Sequence, residues 1–296
     1  MSKAIRSFAA AIVIATLILA VFAGCEKESG EDASTAVKPV ILAVSFGTSY
    51  NDSRELTIGA IESALSTALP DYEVRRAFTS QIIIDKLKER DGIEIDNVTE
   101  AMDRLVADGV KDVVIQPTHV MQGFEYDDVL AEVGGYKDKF TSFKIGGSLL
   151  SADSDYDELV KILTDDTKEF DVPGTAIVYM GHGTEHDSNA TYAKLQEKLS
   201  TAGYANYIIG TVEAEPSLED VIEKLKEGGY TTVILTPLMI VAGDHANNDM
   251  AGDEDDSWKT ILVGEGFDVT CRIQGLGQNQ GVRDLIVKHV KATIAE

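Results

Sequence analysis

The strongest constraint on the fold is a repeated alternation between short apolar runs and stretches of helical periodicity. Pro39-Val-Ile-Leu-Ala-Val44 contains no polar side chain, as expected of a strand buried on both faces of a parallel sheet. It ends at Ser45-Phe-Gly-Thr-Ser49, after which residues 52–69 put Ile58, Ile61 and Leu65 on one helical face. Further strands are expected at 72–78, 112–116 and 143–147, and helices at 82–88, 98–106, 125–133 and 155–167. The second half repeats this order. Its strands are expected at 176–180, 207–212, 232–235 and 268–273, and its helices at 189–200, 217–226, near Trp258, and at 282–294. Strands joined through helices run parallel.

The two halves also match in detail. Ser45-Phe-Gly-Thr48 lies over Gly181-His-Gly-Thr184, Val113-Val-Ile-Gln-Pro117 over Val233-Ile-Leu-Thr-Pro237, and Gly123-Phe-Glu125 over Gly243-Asp-His245. The reading is an α/β fold of two similar domains, each a parallel sheet flanked by helices, related by a pseudo-two-fold duplication with a cleft between them. The boundaries are a signal peptide at 1–24, a flexible tether at 25–37, an N-terminal half at 38–170 and a C-terminal half at 171–296.

At 44% hydrophobic residues, 296 residues can bury a sizeable core. The formal net charge is −24; Lys3 and Arg6 are the only charges in the first 24 residues, so the rest carries about −26. Such a surface disfavours nucleic acid and anionic membranes. Lys3 and Arg6 precede an apolar run from Phe8 to Ala23, the layout of a signal peptide. Val21-Phe-Ala-Gly-Cys25 has the small residues before cysteine of a bacterial lipobox. The expectation is an exported protein at the periplasmic or other extracytoplasmic face, touching the membrane only through a lipidated Cys25. With Cys271 the one other cysteine, no structural disulfide is expected.

Three successive strands of the second half end in metal-capable side chains. His182 follows 176–180 within Gly-His-Gly, Glu213 follows 207–212, and His245 follows Val233-Ile-Leu-Thr-Pro237 by way of Gly243-Asp244. Open parallel sheets gather ligands beyond the carboxyl ends of their strands. Two imidazoles and one carboxylate that leave positions open suit Co²⁺, Fe²⁺, Ni²⁺ or Zn²⁺. In the first half Phe46 replaces His182, Ser80 falls near the place of Glu213, and Glu125 replaces His245, so a single site in a pseudo-symmetric cleft is expected. The other histidines have blander readings. His119 is a hydrogen-bonded structural residue near the cleft, His186 a rim residue and His289 a surface residue. Asp253-Glu-Asp-Asp256 reads as a solvated helix start.

At these motifs the chain resembles the anaerobic sirohydrochlorin cobaltochelatases of the type II chelatase family, which also includes ferrochelatase and the small cobalt chelatases. The carriers are Val44-Ser-Phe-Gly-Thr-Ser49, Gln116-Pro-Thr-His-Val-Met-Gln-Gly-Phe-Glu-Tyr126, Met180-Gly-His-Gly-Thr184, Gly210-Thr-Val-Glu213 with Pro216-Ser217, and Gly243-Asp-His-Ala-Asn-Asn-Asp-Met250. The resemblance spans about Lys38 to Ala295. It implies metal insertion, with Co²⁺ as substrate, into an anionic polycarboxylate tetrapyrrole, and release of two pyrrole protons. It places the metal on His182, Glu213 and His245. His182 is the expected base, and Glu125 is expected to assist metal entry or proton removal. The ring would meet backbone N–H groups of Ser45, Phe46, Gly47 and Thr48, the hydroxyls of Ser45, Thr48 and Ser49, and the face of Phe46. His119 is a candidate contact for the ring or for haem, since the resemblance extends to exported versions of which a member can bind haem in a tetramer; a homo-oligomer is an expectation on the same footing. Two other classes are an exported metal- or haem-binding carrier lipoprotein without turnover, and a periplasmic solute-binding protein.

Overall fold

In the computed structural model, which describes residues 37–296, the first apolar run forms strand β1 (Val40–Ser45). Helix α1 (Asn51–Arg54) continues through a π-helical turn at Glu55–Gly59 into α2 (Ala60–Ala68). There follow β2 (Glu73–Phe78), α3 (Gln81–Asp91), α4 (Val98–Ala107), β3 (Asp112–Pro117), α5 (Phe124–Gly134) and β4 (Ser142–Ile145). Helix α6 (Asp153–Thr167) leads to β5 (Thr175–Gly181), α7 (Ala190–Thr201), β6 (Tyr207–Thr211) and α8 (Leu218–Glu227). The chain closes with β7 (Thr232–Pro237), α9 (Trp258–Gly264), β8 (Asp268–Cys271) and α10 (Gln280–Ala295). The expected signal peptide, the lipidated Cys25 and nearly all of the tether lie outside the described residues.

The strands form two four-stranded parallel sheets, ordered β2-β1-β3-β4 and β6-β5-β7-β8. The duplication extends to single hydrogen bonds. Ser80 N–H donates to Phe46 O (3.2 Å) as Glu213 N–H donates to His182 O (2.9 Å). Thr118 N–H donates to Val44 O (2.8 Å) as Leu238 N–H donates to Met180 O (2.7 Å).

Why β1 and β5 read as unbroken apolar runs is now plain. Val40, Leu42 and Val44 pack outward with Val98, Met102 and Leu105 of α4 and Val129 and Val133 of α5. Ile41 and Ala43 point the other way, into a cluster shared by both halves. In β5, Ala176, Val178 and Met180 join Val221, Leu225, Trp258 and Leu262 on the outside, while Ile177 and Tyr179 join the shared cluster. Burial of each such aliphatic side chain stabilises by about 1.5–3 kcal/mol. Residues 37–296 accordingly form one compact unit.

The boundary at 170/171 divides the halves in chain order, but their last helices cross over. On α6, Leu163 O accepts from the Tyr179 hydroxyl (3.2 Å), and Thr167 Oγ1 donates to the Tyr207 hydroxyl (2.9 Å), both on the second sheet. Helix α10 packs on α2, β3 and β4 of the first half, where Lys144 Nζ donates to Ile294 O (2.7 Å). The edge strands β4 and β8 are shorter than expected. After Ile145 the chain leaves the sheet because the Gln116 amide takes over as donor, to Gly147 O at 2.8 Å.

Candidate metal centre

Strands β5, β6 and β7 are neighbours, so their carboxyl ends lie side by side. His182 follows β5 directly, Glu213 lies two residues beyond β6, and His245 is the N-cap of a π-helical turn at Ala246–Met250. One ligand atom from each of these three residues lies within 4.8 Å of the other two. The His182 and His245 rings meet edge to face, with centroids 4.6 Å apart and planes at 88°. Glu213 Oε2 is 3.7 Å from His182 Nδ1. Ligand atoms about 2.1 Å from one ion sit about 3–4 Å from each other, so small side-chain rotations close the set. His182 and Glu213 are exposed and His245 is half-buried, which leaves the outer coordination positions open to solvent.

The Gly-His-Gly sequence is a steric necessity. A Cβ on Gly181 would lie 2.3 Å from the ring of Tyr192, which is buried beneath it and whose hydroxyl accepts from Gly183 N–H (3.2 Å). Burial raises the Tyr192 phenol pKa above its ordinary value, so it stays a neutral acceptor. Gly183 has φ +86°, and a Cβ there would come 2.7 Å from Ala214 N. Gly181 lets the His182 loop sit on Tyr192, and Gly183 lets it lie against the Glu213 loop.

The opposite wall belongs to the first half. Phe46 is 44% exposed, as a surface for a flat ligand requires. Gly47, at φ +101°, passes over Phe78, whose ring would lie 2.5 Å from a Cβ at that position. The side chains around it depart from expectation. Ser45, Thr48 and Ser49 are buried; the Ser45 hydroxyl is hydrogen-bonded to Thr118 Oγ1 (2.8 Å), and Thr48 Oγ1 accepts from Tyr50 N–H (3.2 Å). The Ser45 and Thr48 hydroxyls hold the loop and do not face a ligand. Glu125 is exposed, with Oε2 3.3 Å from Nε2 of His119, whose side chain is only 10% exposed. The pair is off the line of a hydrogen bond, and among the described residues neither buried His119 ring nitrogen has a hydrogen-bond partner. That corrects the expectation of a hydrogen-bonded histidine. His289 is not a surface residue either: its side chain is 12% exposed and pairs with buried Asp155 at 3.2 Å. His186 packs edge to face on Phe124 with centroids 4.9 Å apart.

The mouths of the two sheets are tied across the cleft. Tyr50 Oη donates to Asp244 Oδ1 (3.3 Å), and Ala242 N–H donates to Ser53 Oγ (3.0 Å). Sequence reasoning missed Tyr192, Tyr50 and Asp249. Asp249 Oδ2 lies 2.5 Å from Nδ1 of His245, and its signal was the four-residue spacing that brings two side chains together on a helical turn.

Comparison with known proteins agrees with this geometry. The cobalt chelatase (CbiK) family matches residues 39–295. The chain is 41% identical over 254 residues to the sirohydrochlorin cobaltochelatase of Salmonella typhimurium, covering 86% of this chain and 96% of that one. It is 30% identical over 260 residues to the sirohydrochlorin cobaltochelatase CbiKC of Nitratidesulfovibrio vulgaris, covering 87% and 91%. Among solved structures, SirB from Bacillus subtilis with Fe³⁺ shares the fold, with a TM-score of 0.59 and 14% identity over 88% of this chain and 96% of that one. From its first strand to its last helix, the chain belongs to the CbiK family of cobalt chelatases.

Proposed function

We propose that this protein is a sirohydrochlorin cobaltochelatase that inserts Co²⁺ into the tetrapyrrole. The observation that carries the reading is the convergence of His182, Glu213 and His245 at three adjacent strand ends, within 4.8 Å, opposite a wall that has Phe46 and Glu125 in the equivalent places. A chelatase must hold its metal well enough to strip water from it, yet loosely enough to give it up. Two neutral imidazoles and one carboxylate meet both demands, and the carboxylate cancels one of the ion's two charges. Fe²⁺, Ni²⁺ and Zn²⁺ suit the same donors, so preference for cobalt rests on geometry and supply.

The ring lies against the exposed face of Phe46, with its pyrrole nitrogens toward the metal. Backbone N–H groups of the loop 45–48, not its buried hydroxyls, are the donors left for the ring's carboxylates. As each pyrrole N–H bond breaks, its electron pair stays on the nitrogen, which would share it with the metal, and its proton goes to a base. His182 takes one proton once its bond to the metal opens, since a ring nitrogen released from a metal is a base near neutral pH. Glu125 on the facing wall takes the other. The protein is exported and held at the extracytoplasmic face through lipid on Cys25, a reading supported by Lys3, Arg6, the apolar run and the Val21–Cys25 motif.

The test is anaerobic turnover of sirohydrochlorin with limiting protein and Co²⁺, Fe²⁺, Ni²⁺ or Zn²⁺, followed by the ring's visible absorption. Many turnovers with Co²⁺, lost in both His182→Ala and His245→Ala, are expected. Stoichiometric binding without turnover would identify a carrier instead. Incorporation of labelled fatty acid, lost in Cys25→Ala, checks the anchor.

A further inference from the structure

The two histidines of the metal centre are backed unequally. His245 Nδ1 lies 2.5 Å from the carboxylate of Asp249, across the π-helical turn that His245 opens. His182 Nδ1 is hydrogen-bonded to a neutral peptide oxygen, that of Gly183, at 2.8 Å, and the carboxylate of Glu213, itself a member of the ligand set, stands off at 3.7 Å. A carboxylate only accepts, so it takes the Nδ1–H of a neutral imidazole and leaves the Nε2 lone pair as the ligand. It also makes that imidazole a stronger donor and fixes the ring plane. A peptide carbonyl sets the same tautomer with a weaker pull.

Asp249 has no other evident task. Its side chain is 43% exposed, and among the described residues it makes no hydrogen bond except that to His245. The loop is braced by other groups: Asn247 Nδ2 donates to Gly243 O (2.7 Å) and Asn248 Nδ2 to Asp244 Oδ1 (2.9 Å). The neighbouring acid Asp253 is engaged elsewhere, with Lys259.

We infer that Asp249 is a positioning residue that makes His245 the anchoring ligand, the one that keeps the metal, and so leaves His182 as the ligand that lets go when the ring takes the ion. This rests on the reading of His182, Glu213 and His245 as the metal site. It explains how one site both retains and releases a substrate metal: the bond that must break is the one whose imidazole has a peptide oxygen, not a carboxylate, as its hydrogen-bond partner.

The experiment compares purified wild-type protein with Asp249→Ala, Asp249→Asn, His182→Ala and His245→Ala. In the metal-free protein, ¹⁵N NMR of the imidazoles should show His245 as the Nδ1–H tautomer, and that signature should be lost in Asp249→Ala. Titration with Co²⁺ alone should show Asp249→Ala binding about 10–100-fold more weakly, and its KM for Co²⁺ should rise by more than its kcat falls. Asp249→Asn keeps a carbonyl acceptor and should recover part of the affinity. His245→Ala should lose more Co²⁺ affinity than His182→Ala. A merely structural role would lower the Tm of both Asp249 variants and leave the tautomer and the Co²⁺ affinity alone. Wild-type Co²⁺ affinity in Asp249→Ala, or equal losses in the two histidine variants, would overturn the inference while the metal site stands. Wild-type Co²⁺ binding by His245→Ala would instead overturn the metal site itself.

Discussion

Replacing Gly183 by alanine separates the requirement for a fold from the requirement for a site. An L-residue forced to positive φ costs about 1–2 kcal/mol, and Gly183 sits at φ +86°. In a domain of this size each 1 kcal/mol lowers Tm by about 2–4 °C. A second effect is local. The new Cβ would stand 2.7 Å from Ala214 N and 3.0 Å from Thr211 Cβ, where ordinary contacts begin at 3.4 Å. The His182 loop must therefore move from the Glu213 loop by about 0.7 Å. A misplacement of about 1 Å in a reacting geometry costs about 10²-fold, so kcat/KM for Co²⁺ insertion should fall about 10- to 100-fold. Gly203→Ala is the control: φ is +95°, but no atom lies within 4 Å of its Cβ. Both variants should lose a few degrees of Tm in a thermal scan. Only Gly183→Ala should lose turnover, read from the visible absorption of the ring. If Gly183→Ala matched Gly203→Ala in both measurements, the close approach of the two loops would not set activity, and the steric account of the motif would fall.

Other consequences are open to the same assays. Phe46→Ala should raise the KM for the tetrapyrrole several-fold while leaving Tm nearly unchanged, because a surface side chain contributes within about 0.5 kcal/mol; an unchanged KM would remove Phe46 from the ring-binding wall. Ser45→Ala should do the opposite, costing about 1–3 kcal/mol by stranding the buried Thr118 hydroxyl while the ring KM holds; a raised KM with unchanged Tm would restore that hydroxyl as a ligand donor. Burial by itself would raise the pKa of Asp155, but the N–H groups of Ala152 and Ser151 and the His289 ring outweigh it and hold the carboxyl below its ordinary value. A carboxyl depressed in the folded state stabilises above its unfolded pKa of about 3.9 and ceases to as pH falls through the lower folded value. Wild type should therefore exceed Asp155→Asn in Tm at pH 5–6, with the gap closing below about pH 4; a gap that widened in acid would reverse the assignment.

Much of this architecture was legible because parallel sheets write themselves plainly. Buried strands such as β1 and β5 must be apolar on both faces, and a duplicated chain states its pattern twice. The ligand triad was legible for the same reason, since His182, Glu213 and His245 occupy matched strand ends. What stayed hidden was which way side chains turn. Ser45 and Thr48 look like ligand donors in sequence, but the Ser45 hydroxyl pairs with Thr118 beyond the neighbouring strand and Thr48 Oγ1 accepts from Tyr50 N–H in its own loop. His289 looked like a residue of an exposed terminal helix, yet α10 is wedged against α6 and the first sheet, which buries it beside Asp155. The Asp249 contact depends on a π-helical turn that local propensity does not announce.

The crossed helices constrain how such a molecule can have arisen and how it can be divided. Helix α6 is encoded with the first sheet but completes the second, and α10 is encoded with the second but completes the first. A single ancestral half could not have covered its own sheet with its own last helix in this arrangement. A pair of identical chains, each lending that helix to its twin, would satisfy the same packing; here both copies lie in one chain, and only the second carries His182, Glu213 and His245. A chain cut between residues 170 and 171 should then yield two fragments that are each insoluble alone but recover their fold when produced together.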